Sequence, residues 1–237
     1  MTEKNVRIGV IGGMGPAASA LFYRMTVEHT KALRDQEHLD MLLFSHATMP
    51  DRTEALLGGR RAELLKLLLA DARMLENCGA DAIAIPCNTS HALADEIRAG
   101  ISIPLIDMVT ETALECAARL ADRPARVAVL ATDGTVRAGL YGRALESHGI
   151  EPWLPPGALQ SLVMQLIYDG VKRGGRVDYA DFRTIERALA RAGCDAALLA
   201  CTELSVLREA FNLPAFYIDA LLTLVKRVIR FAGKEYI

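Results

Sequence analysis

Two stretches of this chain follow one plan, and that repeat limits the possible folds more than any other feature. Gly79-Ala80-Asp81-Ala82 opens the apolar run Ile83-Ala84-Ile85-Pro86, which ends at Cys87; Gly193-Cys194-Asp195-Ala196 opens Ala197-Leu198-Leu199-Ala200, which ends at Cys201. In both, the cysteine stands eight positions after the glycine. A helix-stopping glycine, a short apolar run and then a residue opening a new helix describe a buried strand of a parallel sheet. The echo reaches further. Arg126-Val127-Ala128-Val129-Leu130-Ala131-Thr132 follows Arg7-Ile8-Gly9-Val10-Ile11-Gly12-Gly13 position by position, and Pro104…Asp107 is answered by Pro214…Asp219. From Arg7 to Cys87 is 80 positions and from Arg126 to Cys201 is 75. A duplicated βα-rich unit of about 115 residues, within the size of one small domain, accounts for all of these matches.

The remaining elements fit that plan. Residues 7–11 form a strand that ends in Gly12-Gly13-Met14-Gly15-Pro16, with Pro16 suited to a first helical turn. The helix is expected to run through Leu21 and Met25 toward Leu33. Residues 40–45 are a second strand, and Thr48–Thr53 reads as a polar loop. Residues 60–77 are an amphipathic helix with Leu64, Leu65, Leu68, Ala72 and Leu75 on one face. A strand over 82–85, a helix from Thr89 and a strand near Leu105 complete the first half. The pattern restarts after Arg123-Pro124, with helices over 134–148, 158–171, 179–192 and 219–231. Alternating strands and helices predict an α/β fold of two similar parallel-sheet αβα domains related by pseudo-twofold symmetry. The expected division is 1–106 plus 215–237 as a first domain carrying Cys87, and 107–214 as a second carrying Cys201. Ligands of such sheets bind beyond the carboxyl ends of the strands, where Gly13, Thr48, Cys87, Thr132 and Cys201 fall. Pseudo-symmetric packing would turn both edges toward one cleft.

Composition removes several classes of function. A formal net charge of −2 with no dense basic stripe argues against nucleic-acid or membrane-surface partners. No apolar run approaches the roughly 18–20 residues of a membrane span. Met1-Thr2-Glu3-Lys4-Asn5 lacks the plan of a secretory signal, so a cytoplasmic location is expected. Five cysteines without framework spacing are expected as thiols, with Cys78, Cys116 and Cys194 read as packing residues in or beside helices. Cys87 and His91 are four apart, but no third ligand stands beside them, so no metal is expected.

The chemistry concentrates at the strand ends. A cysteine just before a helix meets free amides and the positive end of the helix dipole, which lower a thiol pKa that starts near ~8.5. Two such thiols on opposite sides of one carbon permit two-base proton exchange and so inversion of a stereocentre; the alternative is that both are packing residues. Gly13-Met14-Gly15-Pro16-Ala17-Ala18 satisfies G-x-G-x-x-A, yet Pro16 lacks a phosphate-binding amide and the second strand ends in Ser45-His46-Ala47 without a ribose-binding acid. A turn whose amides hold a small carboxylate is the more economical reading.

Taken together, Gly12-Gly13-Met14-Gly15-Pro16, Pro50-Asp51-Arg52-Thr53, Pro86-Cys87-Asn88-Thr89 with His91, Gly170-Val171-Lys172 and Cys201-Thr202-Glu203 resemble the aspartate racemase branch of the aspartate/glutamate racemase superfamily, in order and over nearly the whole chain. The resemblance implies a cofactor-independent amino-acid racemase, a homodimer acting on a small dicarboxylate, with its active site in the cleft between two domains. It implies that Cys201 deprotonates the L-enantiomer and Cys87 the D-enantiomer. Arg52 and Lys172 match positions near substrate, one for the side-chain carboxylate and one for charge developing on the α-carboxylate. Met14, Asn88, Thr89, Thr132, Thr135 and Thr202 are candidate carboxylate and ammonium contacts. Glu203 either orients or repels beside Cys201, and His91 reads as structural. Glutamate, a broader range of amino acids, a related cis–trans isomerisation and a non-enzymatic dicarboxylate binder are the alternatives. Ala200, where the family often has glycine, and Ser90, where alanine is common, put substrate preference in question rather than reaction type.

Overall fold

The computed structural model describes residues 5–121 and 124–237; the N-terminal residues 1–4 and the Asp122-Arg123 pair at the sequence restart lie outside the described residues. The chain divides into two compact units, Met1–Met108 with Leu221–Ile237, and Val109–Ala220. The sequence places these divisions after 106 and 214. Residues 215–220 go with the second unit because Tyr217–Asp219 pairs as a strand of its sheet.

The first unit alternates β1 (Arg7–Gly12), α1 (Pro16–Glu28), β2 (Asp40–Ser45), α2 (Arg52–Leu57), α3 (Arg61–Asn77), β3 (Ala82–Ala84), α4 (Ala94–Ala99) and β4 (Leu105–Ile106). Its sheet is parallel in the order β2-β1-β3-β4, with Ile8 opposite both Met41 and Ala82. Leu64, Leu68, Ala72 and Leu75 of α3 pack against Ile83 and Ile85, and Cys87 and Met14 belong to the same core. A helix, α5 (Met108–Arg119), leads into the second unit.

That unit runs β5 (Ala125–Leu130), α6 (Asp133–Arg137), α7 (Leu140–Glu146), β6 (Ile150–Trp153), α8 (Gly157–Gln165), a π-helix over Leu166–Lys172, α9 (Tyr179–Arg191), β7 (Ala196–Leu199), α10 (Thr202–Phe211) and β8 (Tyr217–Asp219). Its sheet is again parallel, in the equivalent order β6-β5-β7-β8. Phe182, Ile185 and Leu189 of α9 pack with Leu130, Leu199, Cys201 and Leu204. The chain then returns to the first unit through α11 (Ala220–Phe231). Among the described residues, no helix is long and apolar enough to cross a membrane.

The structure explains why both halves carry Gly-x-Asp. Asp81 N–H donates to the Arg7 carbonyl at 2.7 Å while Arg7 N–H donates to Asp81 Oδ2 at 2.8 Å. In the second unit, Asp195 N–H donates to the Arg126 carbonyl at 2.8 Å and Arg126 N–H to Asp195 Oδ2 at 2.9 Å. Each arginine side chain also donates to the last carbonyls of the preceding helix region, Arg7 to Cys78 and Arg126 to Ala192. One clamp, used twice, joins the amino ends of the two central strands and ties the incoming helix to them.

Several elements depart from expectation. Helix α1 stops at Glu28, and Leu33 beyond it is 97% exposed. The Thr48–Thr53 stretch is not all loop, because Asp51 caps α2 by accepting the Glu54 N–H at 3.0 Å. Residues 134–148 form two helices, broken where Gly139 takes φ +62°. Strand β6 contains Pro152, which hides it from a reading by pattern but is tolerated at the sheet edge it occupies. Cys116 is buried and Cys194 half-buried, but Cys78 is exposed, because it follows the last turn of α3 rather than packing beneath it.

Candidate active site

In each sheet the connections diverge on either side of the two central strands, β1 and β3 in the first unit, β5 and β7 in the second. Such switch points open a crevice at the carboxyl ends of the strands. The sequence-predicted site residues flank these two points: Met14 follows β1, Cys87 to Thr89 follow β3, Thr132 follows β5, and Cys201 and Thr202 follow β7.

At the first switch point the glycine turn is held from below. Gly13 has φ +86°, and a Cβ there would stand 2.5 Å from both the backbone N and C of His46. His46 is fixed in turn by its N–H to the Gly12 carbonyl at 3.1 Å and by Nδ1 to Asp71 at 2.8 Å. The amide of Gly13 donates to Ser19 Oγ at 2.9 Å, and that hydroxyl donates to the Gly15 carbonyl. The turn therefore uses one of the amides assigned to a small carboxylate in its own closure. Met14 is buried, with the Ser90 hydroxyl 3.5 Å from its Sδ, which links the ends of β1 and β3.

Cys87 is 6% exposed. Asn88 and Thr89 are buried beside it, and the following helix is a five-residue 3₁₀ turn, Thr89–Leu93, in place of the expected α-helix. A turn that short carries little of a helix dipole. His91 donates from Nδ1 to the Cys87 carbonyl at 2.9 Å, while its Nε2 accepts the Met108 N–H at 3.1 Å; those partners assign the tautomer. Burial, against the opposing pull of Asp107, holds its pKa below the ordinary histidine value. It is a neutral clip between two backbone groups. Arg52 at the start of α2 is only 8% exposed, and its Nη1 donates to the Pro50 carbonyl at 3.0 Å. A buried guanidinium tied to a loop by the strand ends is unlike a solvated surface charge.

At the second switch point, Thr132 caps α6 by accepting the Thr135 N–H at 3.4 Å, and both hydroxyls are buried 3.2 Å apart. Sequence reasoning missed Gln160 on α8, whose Nε2 donates to Ala131 O at 3.0 Å and Asp133 Oδ1 at 2.9 Å and so braces this cap. A single amide within a helix gives no sequence signal for such a role. Cys201, 6% exposed, occupies the N-cap position of α10 in extended conformation. Its thiol donates to Glu203 Oε2 at 3.0 Å; the Thr202 hydroxyl lies 3.4 Å from the same oxygen.

This geometry overturns the expectation that a helix N-terminus lowers the Cys201 pKa. Burial, the Glu203 charge and the hydrogen bond to Glu203 push that thiol well above its ordinary value, and the Lys172 charge offsets them in part. Glu203 is itself only 3% exposed, and its Oε1 is buried without a hydrogen-bond partner among the described residues. Lys172 ends the π-helix, its Nζ 4.2 Å from the centre of the Tyr168 ring. That helix packs against α10, which brings the ammonium into electrostatic range of Cys201. Such π-segments recur at functional sites. Among the described residues, no group of three or more His, Cys, Asp or Glu side chains could hold a metal ion.

The Asp/Glu/hydantoin racemase family model matches residues 11–228. The chain belongs to this family. The racemase is 27% identical over 229 residues to the broad specificity amino-acid racemase RacX of Bacillus subtilis, covering 94% of this chain and 96% of the relative. It superposes on the aspartate racemase of Picrophilus torridus with a TM-score of 0.81 at 30% identity, over 98% of this chain and 96% of that one. The same fold is seen in Francisella tularensis glutamate racemase, crystallised with D-glutamate, at a TM-score of 0.68 and 22% identity, over 97% of this chain and 81% of that one.

Proposed function

We propose that this racemase interconverts L- and D-aspartate by two-base proton exchange at Cα, with Cys87 and Cys201 as the acid/base pair and no cofactor. The observation that carries the reading is the corresponding position of the two thiols: Cys87 is buried three positions past β3 and Cys201 two positions past β7, each strand bordering its own sheet's switch point. The reaction requires the two sulfurs to reach opposite faces of one Cα. One thiolate removes the Cα proton and becomes a thiol; the other thiol gives its proton to the opposite face of the carbanion and becomes a thiolate. Proton count is unchanged and the stereocentre is inverted.

The two thiols would be activated differently. Cys201 is held as a thiol by burial and Glu203, so its ionisation proceeds by passing the Sγ proton across the 3.0 Å contact to the carboxylate. Cys201 then serves as the base toward the L-enantiomer, and Cys87 toward the D-enantiomer. Arg52 and Lys172 are the cations for a dicarboxylate, one on the side-chain carboxylate and one on the α-carboxylate, where charge grows as the proton leaves. Met14, Asn88, Thr89, Thr132, Thr135 and Thr202 supply the contacts around them. A homodimer in the cytoplasm completes this reading.

The test is Cys87→Ser and Cys201→Ser, each assayed with both aspartate enantiomers in deuterated water. Loss of racemisation in both, with one-sided solvent exchange surviving in either, is the expected result; full racemisation by either variant refutes the two-base reading. A second reading, racemisation of a broader set of amino acids, is favoured by the likeness to a broad specificity racemase across 94% of this chain. A panel of aspartate, glutamate and several neutral amino acids separates the two, and tight aspartate binding without turnover would instead mark a binder.

A further inference from the structure

The structure gives one of the two thiols a support that the other lacks. We infer that His91 is a positioning residue for Cys87: its neutral imidazole spans the Cys87 carbonyl and the Met108 N–H and fixes the peptide from which the thiol projects. The inference rests on Cys87 acting as an acid/base.

His91 lies four residues beyond Cys87, on the buried 3₁₀ turn that carries Asn88 and Thr89 into α4. It donates 2.9 Å to the Cys87 carbonyl and accepts the Met108 N–H at 3.1 Å. Met108 is the last residue of the first unit before the chain crosses to the second, so one ring joins the thiol's own peptide to the point of departure. Only one tautomer satisfies these two partners, and the Ile106 carbonyl, which also bonds to the ring, favours its protonated form instead. A carbonyl requires a donor at Nδ1 and an amide requires an acceptor at Nε2, so a second proton would break the Met108 bond. Near the ring, Arg98 is paired to Asp95 and Asp107.

The second unit solves the same problem otherwise. Ser205, four residues beyond Cys201, donates to Asp219 Oδ1 at 2.7 Å, and the Cys201 carbonyl accepts the Leu204 N–H at 2.9 Å from its own helix. Cys201 sits at the head of a ten-residue α-helix that orders its peptide, whereas Cys87 precedes only a five-residue 3₁₀ turn and lacks that frame. The ring supplies it.

The test divides the two hydrogen bonds. In His91→Asn the amide nitrogen can take the place of Nδ1 and keep the donor to Cys87; in His91→Gln the amide oxygen reaches the place of Nε2 and keeps only the acceptor for Met108. Displacement of a reacting group by about an ångström costs roughly a hundredfold in rate. His91→Gln is therefore expected to lower kcat by about that factor with KM changed less than about threefold, and His91→Asn to recover at least about tenfold of the loss. Equal losses in the two variants, or a loss confined to KM, would overturn the inference. Should either variant fail to fold, nitrogen NMR of the wild-type ring decides. A single Nδ1–H tautomer is expected, and an Nε2–H tautomer or an imidazolium at neutral pH would overturn it. Cys87→Ser, run beside them, keeps the two proposals apart: racemisation surviving in that variant removes the role of Cys87, whereas its loss, together with indifference to His91→Gln, removes only the role of His91.

Discussion

Replacing Gly13 by alanine tests the construction of the first switch point. Two costs add at this residue. Its φ of +86° lies in the left-handed region, which costs a side chain about 1–2 kcal/mol. The new Cβ would also sit 2.5 Å from two backbone atoms of His46, and backbone cannot rotate aside as a side-chain tip can. Overpacking of this kind adds about 1–3 kcal/mol, so Gly13→Ala should cost about 2–5 kcal/mol. Gly59 is the internal control. It has φ +78°, lies in the same unit, and a Cβ added there would meet nothing within 4 Å, so Gly59→Ala should show the first cost alone, about 1–2 kcal/mol. The single tryptophan, Trp153, is in the second unit and does not report on either change. Urea unfolding followed by far-ultraviolet circular dichroism, with hydrogen exchange at the β1 and β2 amides, reads the correct region. Equal costs for the two variants would refute the close approach of His46 and with it this account of the Gly12-Gly13-Met14 turn.

Two further outcomes follow from buried thiols. Glu203→Gln removes the second-largest influence holding the Cys201 proton, leaving burial in place and the Lys172 charge unopposed, so alkylation of Cys201 should begin at lower pH than in the wild type. Iodoacetamide labelling mapped by mass spectrometry reads this, and an unchanged or rising midpoint sinks the proposed proton partnership. Cys116 on α5 is pushed up to about 12, chiefly by burial. Folded protein keeps that proton while unfolded chain loses it above about pH 8.5, so the contribution is intact below that pH and is lost as pH rises toward about 12. Unfolding free energies from urea titrations at increasing alkaline pH should fall by up to about 1.4 kcal/mol per pH unit more in wild type than in Cys116→Ala; parallel curves would contradict the assignment.

Much of this molecule was legible in sequence, and the reason is periodicity. Strands buried on both faces, such as Arg7–Gly12 and Ala196–Leu199, stand out as apolar runs, and α3 shows its core face in the spacing of its leucines. The duplicated Gly-x-Asp was visible as a pattern, but its cause, a reciprocal clamp to an arginine peptide 74 positions away in one half and 69 in the other, needed coordinates. Features set by tertiary contact were not legible. The π-helix over Leu166–Lys172 carries no pattern that distinguishes it from an α-helix end, and its geometry goes with a tight return in which Gly175 lies against the Asp169 carbonyl. Around the candidate site, the cysteines, Arg52, Lys172 and the neighbouring Glu203 came from motif, whereas the burial of Cys201 and its contact with that carboxylate did not. A helix N-terminus alone predicts an acidic thiol; burial of the sulfur, reinforced by a carboxylate two residues on, reverses the sign. Gln160 acts through fold rather than pattern and left no trace in the sequence.

The paired clamps at Arg7–Asp81 and Arg126–Asp195 lie at the amino ends of their sheets, at the opposite edge from the thiols. Each unit thus keeps its fastening and its candidate site on separate margins. Exposed residues beyond the strand ends can be redrawn, by natural drift or by an engineer seeking a new substrate, while the fastening and the buried Gly13 turn stay as they are. A chimaera that exchanges the exposed residues beyond β1, β3, β5 and β7 but retains both arginine–aspartate pairs and Gly13 should inherit the scaffold's integrity, which makes this chain a natural chassis for grafting.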